Sequence, residues 1–501
     1  MRRFLPLVAA LCAGLFSSFP LPAADTPATL AWPEITAETK PWSRWWWLGN
    51  IADEKSLTSE MEKYAAAGLG GLEITPIYGV RGYEDRFVPF LSPRWVELFD
   101  HTLAEARRLH LGIDLATGTG WPFGGPWLRD ADVAHTVAHK THRLTPGQRL
   151  TEPVAFLQAG LVRTAGARRV SLAELKRPVT ANADLQDLAL DQVRFEQPLP
   201  LVTLMAFPSD GRAPLDLTSR VDASGQLDWT APAEAGEWTL HALFQGPHGK
   251  MVERAAPGGE GYALDHFSSS ALQHYLAKFD AAFAGRATSG LRAFFNDSYE
   301  VDDSEGEANW TPRFLTEFQQ RRGYDLRLHL PALFAGDDTR VLSDYRETIS
   351  DLLLDEFTQP WRAWANARGA KIRNQAHNAP AHLLDLYAAS DIPEQEGNGL
   401  LAMKLASSAA HLTGKPLASA EAATWLNEHF LTTLAELKDN VDTFLLAGLN
   451  HNCYHGTPFS PPDDPWPGFH FYASVELSPA NPFWHDFAAL NAYVARAQSF
   501  L

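Results

Sequence analysis

The sequence is almost without cysteine: Cys12 and Cys453 are its two thiols. Cys12 falls in an N-terminal stretch that reads as a cleaved leader, so a single thiol is left. An intramolecular disulfide and a multi-thiolate zinc site are thereby excluded. Cys453 reads as a small buried hydrophobe. Positive charge is also in deficit, with 42 Lys and Arg against 60 Asp and Glu and a formal net charge of -18. A chain of that sign repels phosphate backbones, so no nucleic-acid partner is expected. Beyond the leader no run is apolar enough to cross a bilayer, and no stable membrane insertion is expected after cleavage. Thr117-Gly118-Thr119-Gly120-Trp121-Pro122 is glycine-rich but lacks dinucleotide or P-loop spacing. The acidic stretch after Asp297 lacks the order of an EF-hand loop.

What is present describes a globular chain. Hydrophobic residues make up 45% of 501 positions, enough for two or three domains and a large core. Sixteen Trp serve either as core or as flat platforms for sugar rings. Met1-Arg2-Arg3, the apolar stretch 4–19 and Leu21-Pro22-Ala23-Ala24-Asp25 read as a signal peptide over 1–24. The mature protein is then expected to be periplasmic or secreted.

After the leader, strand-like and helix-like segments alternate. Arg44-Trp45-Trp46-Trp47-Leu48 reads as a buried strand. Leu57, Met61, Tyr64 and Ala65 recur at helical spacing, with Gly68 as the stop. Gly71-Leu72-Glu73-Ile74 and Leu111-Gly112-Ile113-Asp114-Leu115 are strands, separated by a helix that Ser92 caps and Pro93 opens. From 130 to 257 short alternating runs lie between Pro, Gly and Asp clusters, which predicts an inserted β-sandwich-like module. The alternation then resumes. Strands are expected at 294–297, 371–375, 391–394, 416–421 and 444–451, with a last helix over 487–500. Eight strand–helix units with one interruption predict an α/β fold, a TIM-type (β/α)8 barrel built from 25–129 and 258–501.

The chemistry gathers at predicted strand ends. Leu291-Arg292-Ala293-Phe294-Phe295 runs into Asn296-Asp297-Ser298-Tyr299-Glu300, as a buried parallel strand delivers polar groups to the open end of a barrel. Asp297 and Glu300 are read either as a working pair or as part of a solvated acidic loop. Ser419-Ala420-Glu421 delivers a second carboxylate in an apolar frame, where it needs partners or a raised pKa. Two carboxylates are the minimum equipment for acid/base cleavage of a glycosidic bond. Glu394 and Glu396 share a face in an extended segment; they bind a hard cation, hold substrate hydroxyls, or form a surface turn. His377 follows the fifth strand. His451 and His455 are spaced four apart but not on a helix, so they are read as substrate hydrogen-bonding groups or a structural pair. Trp121 and Pro122 read as a cleft wall.

These segments together resemble the bacterial α-L-rhamnosidases of glycoside hydrolase family 106. The matching stretches include Arg44-Trp45-Trp46-Trp47-Leu48-Gly49-Asn50, Gly70-Gly71-Leu72-Glu73-Ile74, Thr117-Gly118-Thr119-Gly120-Trp121-Pro122 and Asp297-Ser298-Tyr299-Glu300. Arg322-Gly323-Tyr324-Asp325, Asp391-Ile392-Pro393-Glu394, Ser419-Ala420-Glu421 and 451–456 complete the set in family order. The resemblance implies a catalytic barrel, inversion at the anomeric carbon and Ca2+ in the active site. It makes Glu300 the general acid and Glu421 the general base. Asp297, Glu394 and Glu396 become candidates for calcium or sugar-hydroxyl contacts, with His377, His451, His455 and Trp121 against the substrate. Inversion implies carboxyl groups about 6.5–9.5 Å apart, with a water between. Family members are usually longer, with further β domains after the barrel, and a shortened, binding-only relative is one rival reading. A barrel glycosidase for another sugar, such as a β-galactoside, is a second. A metal phosphoesterase built on Asp297, His451 and His455 is the third.

Overall fold

Eight short strands, most with side chains buried on both faces, close into a parallel ring in the computed structural model. They are β1 (Trp42–Leu48), β2 (Gly71–Ile77), β3 (Gly112–Ala116), β4 (Leu291–Asn296), β5 (Lys371–Gln375), β6 (Ile392–Gln395), β7 (Ser419–Ala422) and β8 (His451–Pro458). Each pairs with its neighbours in sequence, and β1 closes the ring on β8. The residues described are 31–164, 169–175, 190–234, 236–286, 288–301, 304–397, 399–424, 426–427 and 429–501. The expected leader, with Cys12, lies outside them, as do Asp302, Asp303 and Trp425. The chain divides into Met1–Glu34 and Ile35–Leu501, and the architecture here is that of the second unit.

Burial on both faces explains why these strands are so apolar. In β1, Trp45 and Trp47 point outward, edge-on to Tyr64 and tilted against Trp95 of the surrounding helices. Each such ring contributes roughly 2–3 kcal/mol by leaving water. The Trp95 helix, Pro93–Leu109, forms where the sequence predicts: the Ser92 side chain accepts from the Trp95 amide and Pro93 opens the first turn. Trp95, Leu98, Phe99, Leu103 and Ala106 make its buried face, and it ends at His110 in a left-handed conformation.

The eighth strand corrects the expectation of 444–451. Leu437, Val441 and Phe444 recur at helical spacing on a helix, Leu434–Leu446, that Thr433 and Glu436 start with a reciprocal capping box. The strand begins only at His451.

Between β3 and β4 the chain builds a four-stranded antiparallel sheet from His135–Leu144, Leu201–Pro208, Leu215–Asp216 and Trp238–Pro247, with two two-stranded ribbons beside it. Leu204, Ala206, Leu240, Ala242 and Phe244 face a small core of their own with Trp229 and Trp238. Met205 and Leu243, on the alternate phase, join the main core of the barrel. That shared packing fixes the sheet to the barrel and returns the chain to the strand ends through 250–262.

Candidate active site

The inward phase of the strands carries a stack of charge. Its floor is Trp42 of β1, lodged against Gly71 of β2 and Gly112 of β3, with Arg292 over its ring and His451 at its edge. Above the floor, Arg44, Glu73, Asp114, Arg373 and Glu394 are all buried. Arg373 pairs with Glu73 and Glu394, and its Nε lies 3.0 Å from Asp114. Arg292 donates to both oxygens of Asp114, at 2.9 and 2.5 Å. Arg44 Nε donates to Glu73 at 2.6 Å.

Arg44 also reaches upward to the strand ends. Its Nη1 donates to Asp297 at 3.1 Å. Its Nη2 lies 2.9 Å from Glu421 Oε2, an ion pair without the alignment of a hydrogen bond. The Gln375 amide donates to Glu421 Oε2 at 2.6 Å and to Glu394 at 2.9 Å. Thr424 donates to Glu421 Oε1 at 2.6 Å, and His455 Nε2 is 3.6 Å from the same atom. Burial would raise the Glu421 pKa, but Arg44, His455, Thr424 and Gln375 outweigh it and hold it down at about 2.

Across the mouth the electrostatics reverse. Burial pushes the Asp297 carboxyl well up, and Glu421 and Glu300 push the same way against Arg44. Trp121 Nε1 donates to Glu300 Oε2 at 2.5 Å, and Ser298 donates to Oε1 at 2.8 Å. Glu253, on the returning chain beside Trp121, is raised to about 7 by burial, with Glu300 adding to the rise and Lys250 opposing it. One side of the site thus keeps its carboxylate ionised and the other retains protons. A recess lined by Thr75, Thr117, Trp121, Phe295, Asn296 and Asp297 opens on the Asp297 side.

The structure brings Glu300, Glu421, Asp297, Trp121 and His455 together. His377 and Glu396 meet each other at the rim, 3.2 Å apart. Two expectations are corrected. His451 is the first residue of β8, at the opposite mouth of the barrel; its Nε2 lies 3.0 Å from Arg292. Residues four apart in a strand share a face but sit about 13 Å apart along it, so His455 reaches the site and His451 the floor. Glu394 does not offer free oxygens to a metal: Arg373, Gln375 and Ser419 engage them. Sequence reasoning missed Arg44, Glu73, Asp114, Arg373 and Glu253. The first four carried a signal in the two-residue phase, since Trp42, Arg44 and Trp46, or Gly71, Glu73 and Thr75, must share one face. Glu253 carried none, because only the fold returns it to the cleft.

The buried network is short of positive charge. Arg44, Arg292 and Arg373 face Glu73, Asp114, Glu394, Asp297 and Glu421, three guanidiniums for five carboxyls. Gln375 Oε1 is buried without a hydrogen-bond partner among the described residues. The excess of carboxyls is met in part by protons, since burial raises Asp297 and Glu394; the unpartnered Gln375 oxygen is a hard donor of the kind a divalent cation takes.

A parallel eight-stranded barrel with an ionised and a proton-holding set of carboxyls at its strand ends places the chain among the barrel-type glycoside hydrolases. A sequence model of glycoside hydrolase family 106, described as alpha-L-rhamnosidase, matches residues 33–181 and 210–501, and the chain belongs to that family. A Formosa agariphila protein, provisionally named a beta-glucuronidase, is 27% identical over 499 residues, which cover 94% of this chain and 41% of that one. The solved rhamnosidase from Novosphingobium sp. PP1Y superposes with a TM-score of 0.69 at 22% identity, covering 93% of this chain and 60% of that one. The chain therefore spans less than two thirds of either relative.

Proposed function

We propose that the chain removes terminal α-L-rhamnose from glycans or plant glycosides with inversion at the anomeric carbon. The observation that carries this is the split between Glu421, held ionised at about 2, and the side on which burial raises Asp297 and Glu253, the two carboxyls beside Glu300. Glu421 takes a proton from water, whose oxygen bonds to the anomeric carbon. The bond to the leaving oxygen breaks on the opposite face, and that oxygen takes a proton from Glu300. His455 Nδ1 lies 3.3 Å from the Ala473 carbonyl. That contact holds the ring with Nε2 turned toward Glu421. Trp121 and Ser298 fix Glu300 by donating to its two oxygens.

Calcium belongs to the same proposal. Glu396, beside His377 at the rim, and the unpartnered Gln375 Oε1 are the oxygens assigned to it in this reading, and when bound it supplies a hard positive charge for sugar hydroxyls. Export to the periplasm or the medium, expected from the leader, is part of the reading too.

Release of p-nitrophenol from p-nitrophenyl α-L-rhamnoside tests it, with calcium and with a chelator. Glu300→Gln and Glu421→Gln are each expected to lower kcat by about 10²–10⁴, and NMR is expected to show the β-anomer first. Turnover of an aryl β-glucuronide and not of the rhamnoside would transfer the assignment to the sugar named for the Formosa relative. Binding without turnover would leave a carbohydrate-binding relative.

A further inference from the structure

Three side chains outside this network converge where the loop after β7 meets the loop after β8. His429, His470 and Glu476 each offer one ligand atom, and these atoms lie within 4.8 Å of one another. His429 Nδ1 is 3.6 Å from Glu476 Oε1. That is long for a hydrogen bond and near the edge, roughly 3.4 Å, of a tetrahedron whose ligands lie about 2.1 Å from its centre.

His429 Nδ1 and His470 Nε2 are both shielded from solvent, and neither has a hydrogen-bond partner among the described residues. Two unpartnered imidazole nitrogens beside one buried carboxylate are costly unless something fills the space between them. The rings are held in place: His429 and His470 pack at 5.2 Å, and Phe430 stands edge-on to His470 at 5.4 Å. Glu476 is buried, and its Oε1 accepts from the Phe471 amide at 3.2 Å. His429 and Glu476 both adopt left-handed backbone, with φ of 52° and 56°, a strain that clusters at ligand clamps.

We propose that His429, His470 and Glu476 bind a divalent transition ion of the zinc class, which ties the loop after β7 to the loop after β8. Two imidazoles select such an ion over calcium or magnesium, which prefer oxygen. Three protein ligands leave the fourth position of the ion to water. The loop after β8 also carries Phe471, stacked on Trp46 at 3.9 Å, and Ala473, whose carbonyl faces His455. The ion therefore steadies the wall behind Glu421 and His455. It is separate from the hard cation discussed above and does not depend on which sugar the chain cleaves.

The test strips the full chain with a chelator and titrates it with ZnCl2, and separately with CaCl2, by calorimetry. Co2+ is followed by its visible absorption. One equivalent of zinc is expected to bind, raise Tm and displace cobalt, while calcium leaves the cobalt spectrum unchanged. His429→Ala and His470→Ala are each expected to weaken zinc binding at least about tenfold and to erase the cobalt bands. His411→Ala, on the exposed side of the Leu400–Leu412 helix, is expected to change neither. His429 is 41% exposed, so its replacement leaves the packing intact; a Tm in chelator equal to that of the native chain checks this. No zinc bound by the native chain, or zinc binding undiminished in both histidine variants, would overturn the proposal.

Discussion

Arg44 holds the site together from beneath. Its guanidinium, 2% exposed, spans Glu73, Asp297 and Glu421 and lies against the rings of Trp46 and Phe295. A planar fork with five donors reaches three separated carboxylates in fixed directions; an ammonium offers three donors from a single point. Arg44→Met should therefore leave Glu421 without its strongest counter-charge. Its pKa then rises from about 2, the base is protonated at higher pH, and the acid limb of kcat/KM against pH moves upward. An acid limb unmoved in Arg44→Met would show that something else keeps Glu421 ionised. Stability should fall as well, by about 3–5 kcal/mol, the cost of breaking a buried pair. The sequence made the outer carboxylates legible, because Asp297, Glu300 and Glu421 sit where an apolar run breaks. It hid Arg44 because Arg44 sits inside such a run, among the Trp, where a charge reads as an interruption. Its partners Glu73 and Asp114 come from two other strands, and only closure of the ring brings them within reach.

At the scale of the strand, the barrel floor depends on absent side chains. A Cβ on Gly112 would lie 2.2 Å from the Trp42 ring, and one on Gly71 would lie 2.5 Å from it. Gly112→Ala should thus cost about 1–3 kcal/mol by overpacking, read as a lower denaturant midpoint. Combining it with Trp42→Phe should recover part of that loss, since the smaller ring vacates the contested space. Equal losses that simply add would show that the alanine acts elsewhere. Most strands and helices were legible from period and caps. The eighth strand was not: 444–451 is apolar enough for either reading, and the Thr433–Glu436 cap that starts the helix running through Leu446 lies well upstream of it. Position along a strand was the other blind spot. His451 and His455 share a phase, and phase carries no height.

Over the whole molecule, buried carboxyls and buried imidazoles set the pH response together. Burial raises Glu60, Asp265 and Glu253 to about 7, while in the unfolded chain they titrate near 4. Between those values the folded chain binds more protons at these groups, so their share of stability falls as pH rises through about 4.5 to 7. Glu421 works in the opposite sense. Its depressed pKa contributes stability above about 4.5 that is lost as pH falls toward 2. Burial holds His241, His248 and His266 down at about 4, so their share of stability is gained as pH rises from about 4 to 6.5 and offsets the carboxyl loss there; a net loss is expected above about pH 6.5. Thermal melts in metal-free buffer from pH 3 to 9 check it, and a Tm that climbs from pH 6.5 to 9 would contradict it.

The ring closes by pairing its first strand with its last. A ribosome adds about 5–20 residues per second, so the roughly 400 residues between β1 and β8 take about 20–80 s to appear. Throughout that interval the three consecutive tryptophans of β1 have one edge satisfied by β2 and the other bare. The nascent chain thus carries an open strand edge for most of its synthesis, a row of backbone donors and acceptors that only the last strand of the ring covers.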